Sequence, residues 1–361
     1  MSVITVPARI GALWQQRIQG LQEYEVIRDG NVFGAGFSNS LVFSTEYEQA
    51  RRYLETLLSR YQDTSFDAQF QGREVTNEGG TCFTLEYRQD LSHPAGDRDG
   101  FMSHLMEDMT LVHGVGPVTR KTLESRGYRS IPDLLQHPVL KNRARQVLTC
   151  LSEEKTLPIM ELIGTRYPKS HATMLGTAEL HEPEDFVFLD IETLGLFSRP
   201  VILFGIGVID NGKLVVHQYL LRDIAEEQAA LVETVHHLSG NRVALVTFNG
   251  KSFDLPYIID RLAYYGMKSP ARMPHFDVLH FSRRRWKDRF SSMRLATLER
   301  EVLGVCRNDD IPGAMVPEFY ETYLRSKNIG PLVPIVEHNR QDVISLARIF
   351  FYLLEESYGC Q

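Results

Sequence analysis

The sequence predicts an α/β protein whose C-terminal half forms a mixed sheet with flanking helices. Three strand-like segments follow one another at Phe186–Thr193, Val201–Asp210 and 214–221. A helical pattern, a buried strand near 243–248 and further helical patterns come after them. Short apolar runs bounded by turn residues are typical of strands, and apolar residues every three or four positions are typical of helices. Three consecutive strands followed by alternating helices and strands therefore predict a mixed sheet.

Length and composition limit the class of protein. A chain of 361 residues with 43% hydrophobic residues is long enough for two or three domains with a real core. The apolar runs are shorter than the roughly 20 residues that a membrane-spanning helix needs, and no signal-peptide pattern begins the chain. We therefore expect a cytoplasmic protein with no membrane partner. The net charge of −7 argues against bulk electrostatic coating of nucleic acid, but it permits a local basic track.

The composition changes along the chain predict four regions. Residues 1–105 read as a small α/β or α+β module, and residues 106–151 contain two short helices around a glycine turn. Residues 152–184 are mixed and polar, with interspersed prolines and glycines, which predicts a linker. Residues 185–361 hold the predicted mixed sheet.

The glycine turn in the second region resembles a helix–hairpin–helix motif. Gly114 and Gly116 flank a valine, and Pro117 begins the next helix, where its missing N–H costs nothing. Such motifs bind nucleic acid because glycines let backbone N–H groups approach a phosphate, and Arg120 and Lys121 follow within one turn. The alternative is that the motif serves only as a packing unit.

Two acidic residues end the first strand of the C-terminal region. Asp190 and Glu192 are two positions apart, so the alternation of a strand places both side chains on one face. Ionised carboxylates at the edge of a core are costly without a partner. The pair therefore predicts a bound cation, and we expect a divalent metal.

Two further acidic positions occur where chemistry is common in α/β proteins. Asp254 follows the strand near 243–248, at the start of a helix. His338 and Asp342 are four residues apart and share one helix face. Taken alone, Asp254 fits a helix N-terminal acid, and the other two residues fit a cap or a surface contact.

Together these acids resemble the DEDD 3′–5′ exonuclease superfamily from residue 186 to the C-terminus. Asn249, four residues before Phe253 of a Phe253-Asp254 pair, extends that resemblance. The segments LATLEREVLG at 295–304 and DDIPG at 309–313 look like the YprB-like branch of bacterial RNase H-like nucleases. The resemblance implies an RNase H-like exonuclease domain over residues 185–361.

The resemblance also implies a two-metal mechanism. Carboxylates are hard oxygen ligands that suit Mg²⁺ or Mn²⁺. By resemblance, Asp190 would bridge both ions, Glu192 and Asp342 would bind the ion that activates water, and Asp254 would help to hold the second ion. His338 is four residues before the last acid, the spacing of the superfamily's Tyr-bearing subgroup, whereas its His-bearing subgroup uses five. His338 is therefore either the general base or a positioning residue.

A basic segment supplies positive charge for a nucleic-acid substrate. Arg284 and Arg285 precede Trp286, and cations beside a stacking ring suit single strands. The alternative is a solvated helix face with Trp286 packed inward. The predicted nucleic-acid-binding residues are Gly114, Gly116, Arg120, Lys121, Asn249, Arg284, Arg285 and Trp286. The sequence thus predicts a metal-dependent 3′–5′ exonuclease on single-stranded DNA or RNA, with an RNase H-type endonuclease or a non-catalytic nucleic-acid-binding protein as alternatives.

Overall fold

The computed structural model describes residues 24–27, 40–196, 198–307 and 310–358. The strands are β1 (Tyr24–Ile27), β2 (Ser40–Phe43), β3 (Gly72–Asn77), β4 (Gly80–Asp90), β5 (Phe186–Thr193), β6 (Val201–Asp210), β7 (Lys213–Leu220), β8 (Ala244–Thr247) and β9 (His275–Asp277). The helices are α1 (Ser44–Arg60), α2 (Phe66–Gln69), α3 (Arg98–Glu107), α4 (Pro117–Ser125), α5 (Lys141–Ser152), α6 (Thr156–Gly164), α7 (Ala172–Gly176), α8 (Glu227–His237), α9 (Asp254–Tyr264), α10 (Val278–Trp286), α11 (Leu295–Leu303), α12 (Val316–Ser326) and α13 (Leu332–Tyr358). Within these ranges, no helix is long and apolar enough to cross a membrane.

The principal sheet has seven strands in the order β3-β4-β7-β6-β5-β8-β9. Strands β5, β8 and β9 run parallel to one another. The β3–β4, β4–β7 and β6–β7 pairs are antiparallel. The sheet is therefore mixed and carries flanking helices, which confirms the predicted fold class.

A tight turn sets the register of the β6–β7 hairpin. Asn211 and Gly212 both have positive φ, at 51° and 74°, and Asp210 pairs with Lys213. Asn-Gly favours this backbone because both central residues of such a turn must adopt positive φ. The sequence signal for this hairpin is confirmed.

Aromatic side chains join β5 to the last helix. Phe186 and Phe188 of β5, Phe276 of β9 and Phe350 of α13 are all at most 2% exposed. The rings of Phe186 and Phe350 meet edge to face at 5.0 Å. Because β5 and α13 carry predicted acids, this packing fixes the two elements on which those acids lie.

Helix α9 is fixed by a buried ion pair. The carboxylate of Glu227, at the start of α8, accepts hydrogen bonds from the Arg261 guanidinium on α9 and from the Val201 N–H. Both Glu227 and Arg261 are at most 4% exposed. A buried pair of this kind is costly to break, because each partner would leave an uncompensated charge.

The chain divides into two compact units. The larger unit comprises residues 70–191, 201–308 and 336–361 and includes most of the sheet. The smaller unit comprises residues 1–69, 192–200 and 309–335, with β1 and β2 paired in parallel. Within the smaller unit, the Asn328 side-chain amide donates to the Leu58 carbonyl at 2.8 Å.

The predicted region boundaries differ from this arrangement. Strands β3 and β4 were expected in a separate module ending at residue 105, but β4 pairs with β7 in the principal sheet. The predicted linker, 152–184, contains α6, α7 and buried apolar residues such as Ile159 and Ile163. Its prolines and glycines punctuate short helices that pack into the core. Residues 1–23 and 28–39 of the predicted N-terminal module lie outside the described residues.

Candidate active site

Asp190 is oriented by an asparagine on the last helix. The Asn339 Nδ2 group donates to Asp190 Oδ2 at 2.8 Å and to the Asp190 carbonyl at 3.2 Å. Asn339 is fully buried, whereas Asp190 is half-buried. One carboxylate oxygen of Asp190 is therefore held by an amide donor from α13.

A second amide fixes the orientation of Asn339. The Gln218 Nε2 group on β7 donates to Asn339 Oδ1 and to the Val336 carbonyl, both at 2.9 Å. On the neighbouring strand, Gly205 pairs with Gln218, and a Cβ at Gly205 would lie 2.2 Å from Asn339 Oδ1. The absence of a side chain at Gly205 is thus required for this network.

Asp254 is buried at the start of α9, close to the Asp190 backbone. Its Oδ1 atom accepts a hydrogen bond from the Ile191 N–H at 3.2 Å. Asp254 is 5% exposed, and burial raises its pKa from the ordinary 3.8 to about 7, with the charges of Asp277 and Asp342 adding to the effect. The Asp254 carboxyl thus lies beside β5, and its pKa is also affected by the charge of Asp342 on α13.

Asp277 organises the loop before α9. Its two oxygens accept hydrogen bonds from the Asn249 N–H at 2.8 Å and the Lys251 N–H at 3.1 Å. Asn249 has a φ of 67°, a conformation that asparagine tolerates better than most residues. Nearby, His275 bonds to Thr247 Oγ1, and burial lowers its pKa to about 3. Asn249, a predicted substrate residue, is therefore held by β9.

Asp342 has two different neighbours. Its Oδ1 atom accepts a hydrogen bond from Arg307 Nη2, and its Oδ2 atom lies 3.7 Å from His338 Nε2. The His338 and Asp342 side chains are 14% and 16% exposed. The predicted common helix face of the two residues is consistent with this contact, and the role of His338 stays a prediction.

The carboxylates suit a divalent cation. Among the described residues, no group of three or more His, Cys, Asp or Glu side chains is arranged to hold a metal ion. Carboxylate oxygens are nevertheless the ligands that Mg²⁺ and Mn²⁺ prefer. The raised pKa of Asp254 comes first from its burial, and the charges of Asp277 and Asp342 add to it. Glu192, the fourth predicted ligand, is 8% exposed and belongs to the smaller unit.

The predicted phosphate-binding turn lies in the larger unit. Gly114 has a φ of 87°, and Gly116 is the N-cap of α4, with Pro117 in the first turn. Arg120 is paired with two acidic side chains: its Nε atom donates to Glu124 at 2.9 Å, and its Nη1 atom lies 3.6 Å from Asp108 Oδ1. Lys121 is exposed. The assignment of this turn as a nucleic-acid-binding motif stays a prediction.

The basic segment forms helix α10. Arg284 is exposed, whereas Arg285 Nε donates to Glu356 at 2.9 Å. Trp286 is 1% exposed and packs near Phe290 and Tyr352. The expected stacking of Trp286 on a base is therefore wrong, because its ring faces the core, as in the alternative interpretation.

Several residues of the site were not identified from sequence. They are Gly205, Gln218, Asp277, Glu299, Arg307 and Asn339. Asn339 stands beside the predicted His338, so a polar residue next to a predicted site residue was the available signal for Asn339 alone. Gln218 and Arg307 carry no such signal, since their partners are distant in sequence.

The comparisons with known proteins agree with the fold. The family model RNase_H_2, of the RNase H superfamily, matches residues 187–354. The chain is 29% identical over 210 residues to the uncharacterized protein YprB of Bacillus subtilis (strain 168), covering 55% of this chain and 50% of that protein. The chain thus spans about half the length of this relative. The family match is consistent with an RNase H-like fold in this part of the chain.

Proposed function

We propose that this protein is a metal-dependent nuclease, a 3′–5′ exonuclease that degrades single-stranded DNA or RNA. The observation that carries the proposal is the pair of hydrogen bonds that join Asp190 to Asn339 and the Ile191 N–H to Asp254. They bring acids from β5 and α9 next to the helix that bears Asp342. The sequence similarity to the RNase H superfamily, over residues 187–354, includes Asp190, Asp254 and Asp342.

Asp190, Asp254 and Asp342 would hold Mg²⁺ or Mn²⁺, with Glu192 as the fourth ligand and two ions in all. When bound, such ions supply activation of a water molecule and neutralise charge on the phosphodiester. Asn339 holds Asp190 in one orientation, and the Ile191 N–H does the same for Asp254.

His338 would handle the proton of the attacking water. Its Nε2 atom lies 3.7 Å from Asp342 Oδ2, and a neutral imidazole can accept a proton from water. The positioning role remains the second possibility for this residue. A pH–rate profile of a His338→Gln variant separates the two. A general base acts only when it is unprotonated, so only loss of a general base removes the fall in rate on the acidic side of the profile.

The test is a panel of end-labelled linear and circular DNA and RNA, assayed with Mg²⁺ and with Mn²⁺. We expect laddering from the 3′ end of linear single strands and no cutting of circles. Cutting of circles would instead support an endonuclease, and binding without cleavage would support a non-catalytic protein.

The matched variants are Asp254→Asn and Asp260→Asn on the same helix. Asp254 is buried, whereas Asp260 is exposed. We expect Asp254→Asn to abolish cleavage and Asp260→Asn to retain it. Cleavage that persists in Asp254→Asn, or equally in Asp190→Asn, would refute the proposed site.

A further inference from the structure

Arg307 is a buried cation at the edge of the candidate site. It follows α11, three residues after Gly304, and its side chain is only 10% exposed. Its guanidinium donates through Nε to Glu299 and through Nη2 to Asp342. Burial disfavours its charge, but the charges of Asp342 and Glu299 outweigh this and raise its pKa. Arg307 therefore remains a cation, and its guanidinium donates hydrogen bonds to two carboxylates.

Glu299 ties Arg307 to the helix that bears Asp342. Glu299 is fully buried, and its second oxygen accepts hydrogen bonds from the Gln341 amide and, at 2.7 Å, from the Ser345 hydroxyl. Gln341 and Ser345 lie on α13, immediately before and about one turn after Asp342. Moving Arg307 away would leave the buried Glu299 charge without its cation, which is strongly unfavourable.

We propose that Arg307 is a positioning residue for Asp342, an inference that rests on the proposed function. Arg307 donates to Asp342 Oδ1, whereas Asp342 Oδ2 lies 3.7 Å from His338 Nε2, so the two oxygens of Asp342 have different neighbours. An acid held through one oxygen presents the other in a fixed direction. Partners of this kind orient metal ligands, and their loss typically weakens metal binding by about 10–100-fold.

The competing idea is that Arg307 occupies the place of a cation and must leave before metal binds. The two ideas predict opposite signs. If Arg307 positions Asp342, its removal weakens metal binding. If Arg307 blocks Asp342, its removal strengthens metal binding. The anchoring by Glu299 favours the first idea, since a blocking cation would have to leave a buried carboxylate.

The experiment measures Mn²⁺ binding to the full chain by titration calorimetry, with thermal unfolding in EDTA as a separate readout. We expect Arg307→Gln to weaken Mn²⁺ binding at least about 10-fold and Arg307→Lys to restore part of the loss. Glu299→Gln should weaken binding in the same direction. The double variant should lose no more than Arg307→Gln alone, because the two residues act through one contact.

Unchanged or tighter Mn²⁺ binding by Arg307→Gln would overturn the inference, even if the variant unfolds at a lower temperature. If Arg307→Gln does not fold, Arg307→Lys decides: affinity equal to or tighter than that of the unmodified protein would overturn the inference. Failure of the proposed function is distinguishable, because then the unmodified protein and Asp254→Asn would bind Mn²⁺ equally. If Mn²⁺ affinity depends on Asp254 but does not change in Arg307→Gln, only the inference about Arg307 is refuted.

Discussion

Replacing Asp254 with Asn should stabilise the metal-free protein at alkaline pH while abolishing its activity. The substitution keeps the shape of the side chain and an oxygen that can accept the Ile191 N–H, but it removes a buried negative charge. Burial raises the pKa of Asp254 to about 7, and the nearby charges of Asp277 and Asp342 contribute in the same direction. Active-site groups that suit a ligand commonly cost stability in its absence.

The magnitude follows from the pKa of Asp254 in the two states. Its ordinary value is 3.8 and its folded value about 7, and each pKa unit corresponds to about 1.4 kcal/mol, so the upper bound is roughly 4 kcal/mol. The folded state keeps the proton to higher pH than the unfolded state does. The cost is therefore absent below about pH 4, grows as the pH rises towards 7 and is fully present above that pH. With relaxation around the site, we expect a gain of roughly 1–3 kcal/mol at pH 8.

The assay is urea unfolding in EDTA at pH 5, 6, 7 and 8 for the unmodified protein, Asp254→Asn and the exposed control Asp260→Asn. The difference between Asp254→Asn and the unmodified protein should widen as the pH rises. Added Mn²⁺ should stabilise the unmodified protein but not Asp254→Asn, because only the former retains the proposed ligand. A variant no more stable at pH 8, or a difference independent of pH, would refute this account of the Asp254 charge.

Three further predictions concern the supporting residues. Asn339→Leu removes the amide that makes two hydrogen bonds to Asp190 and takes one of the two acceptors from the Gln218 amide, which keeps the Val336 carbonyl. The variant should therefore lose about 1–3 kcal/mol of unfolding free energy and cleave more slowly; unchanged stability in a urea titration would contradict this. Arg284→Gln should reduce the slope of log binding constant against log salt concentration for a single strand by about one unit. Arg285→Gln should reduce this slope less, because Arg285 is paired with Glu356. Equal slopes for the unmodified protein and both variants would show that the arginines of α10 do not bind phosphates. His275, whose pKa is lowered to about 3, takes up its proton more readily in the unfolded state, so stability should fall as the pH drops from about 6.5 towards 3, and this component should be absent in His275→Gln.

Local patterns in the sequence were sufficient for the main elements of the sheet. The apolar alternation of β5, the Asn-Gly turn after Asp210 and the helical spacing of α13 all depend on neighbours a few residues apart. The same patterns place Asp190 on strand β5 and put His338 and Asp342 on one helix face. These features are determined by backbone geometry that each segment carries with it.

Contacts between distant segments could only be decided by the tertiary structure. Strands β3 and β4 look like a separate module in sequence, but β4 completes its hydrogen bonds by pairing with β7 more than a hundred residues later. Trp286 sits among arginines in the sequence, but its large apolar ring is buried because the helix turns that face to the core. A charge pattern does not report which side of a helix the rest of the fold covers.

The candidate site shows the same division. Its acids were proposed from sequence because their combined pattern resembles that of a nuclease superfamily, whereas the local position of Asp254 or Asp342 alone also fits a cap or a surface contact. The groups that orient them, Asn339 with Gln218 and Arg307 with Glu299, could not be assigned to those roles. Hydrogen bonds between side chains far apart in the chain produce no periodic pattern in the sequence. Their geometry exists only once the sheet and the last helix have packed together.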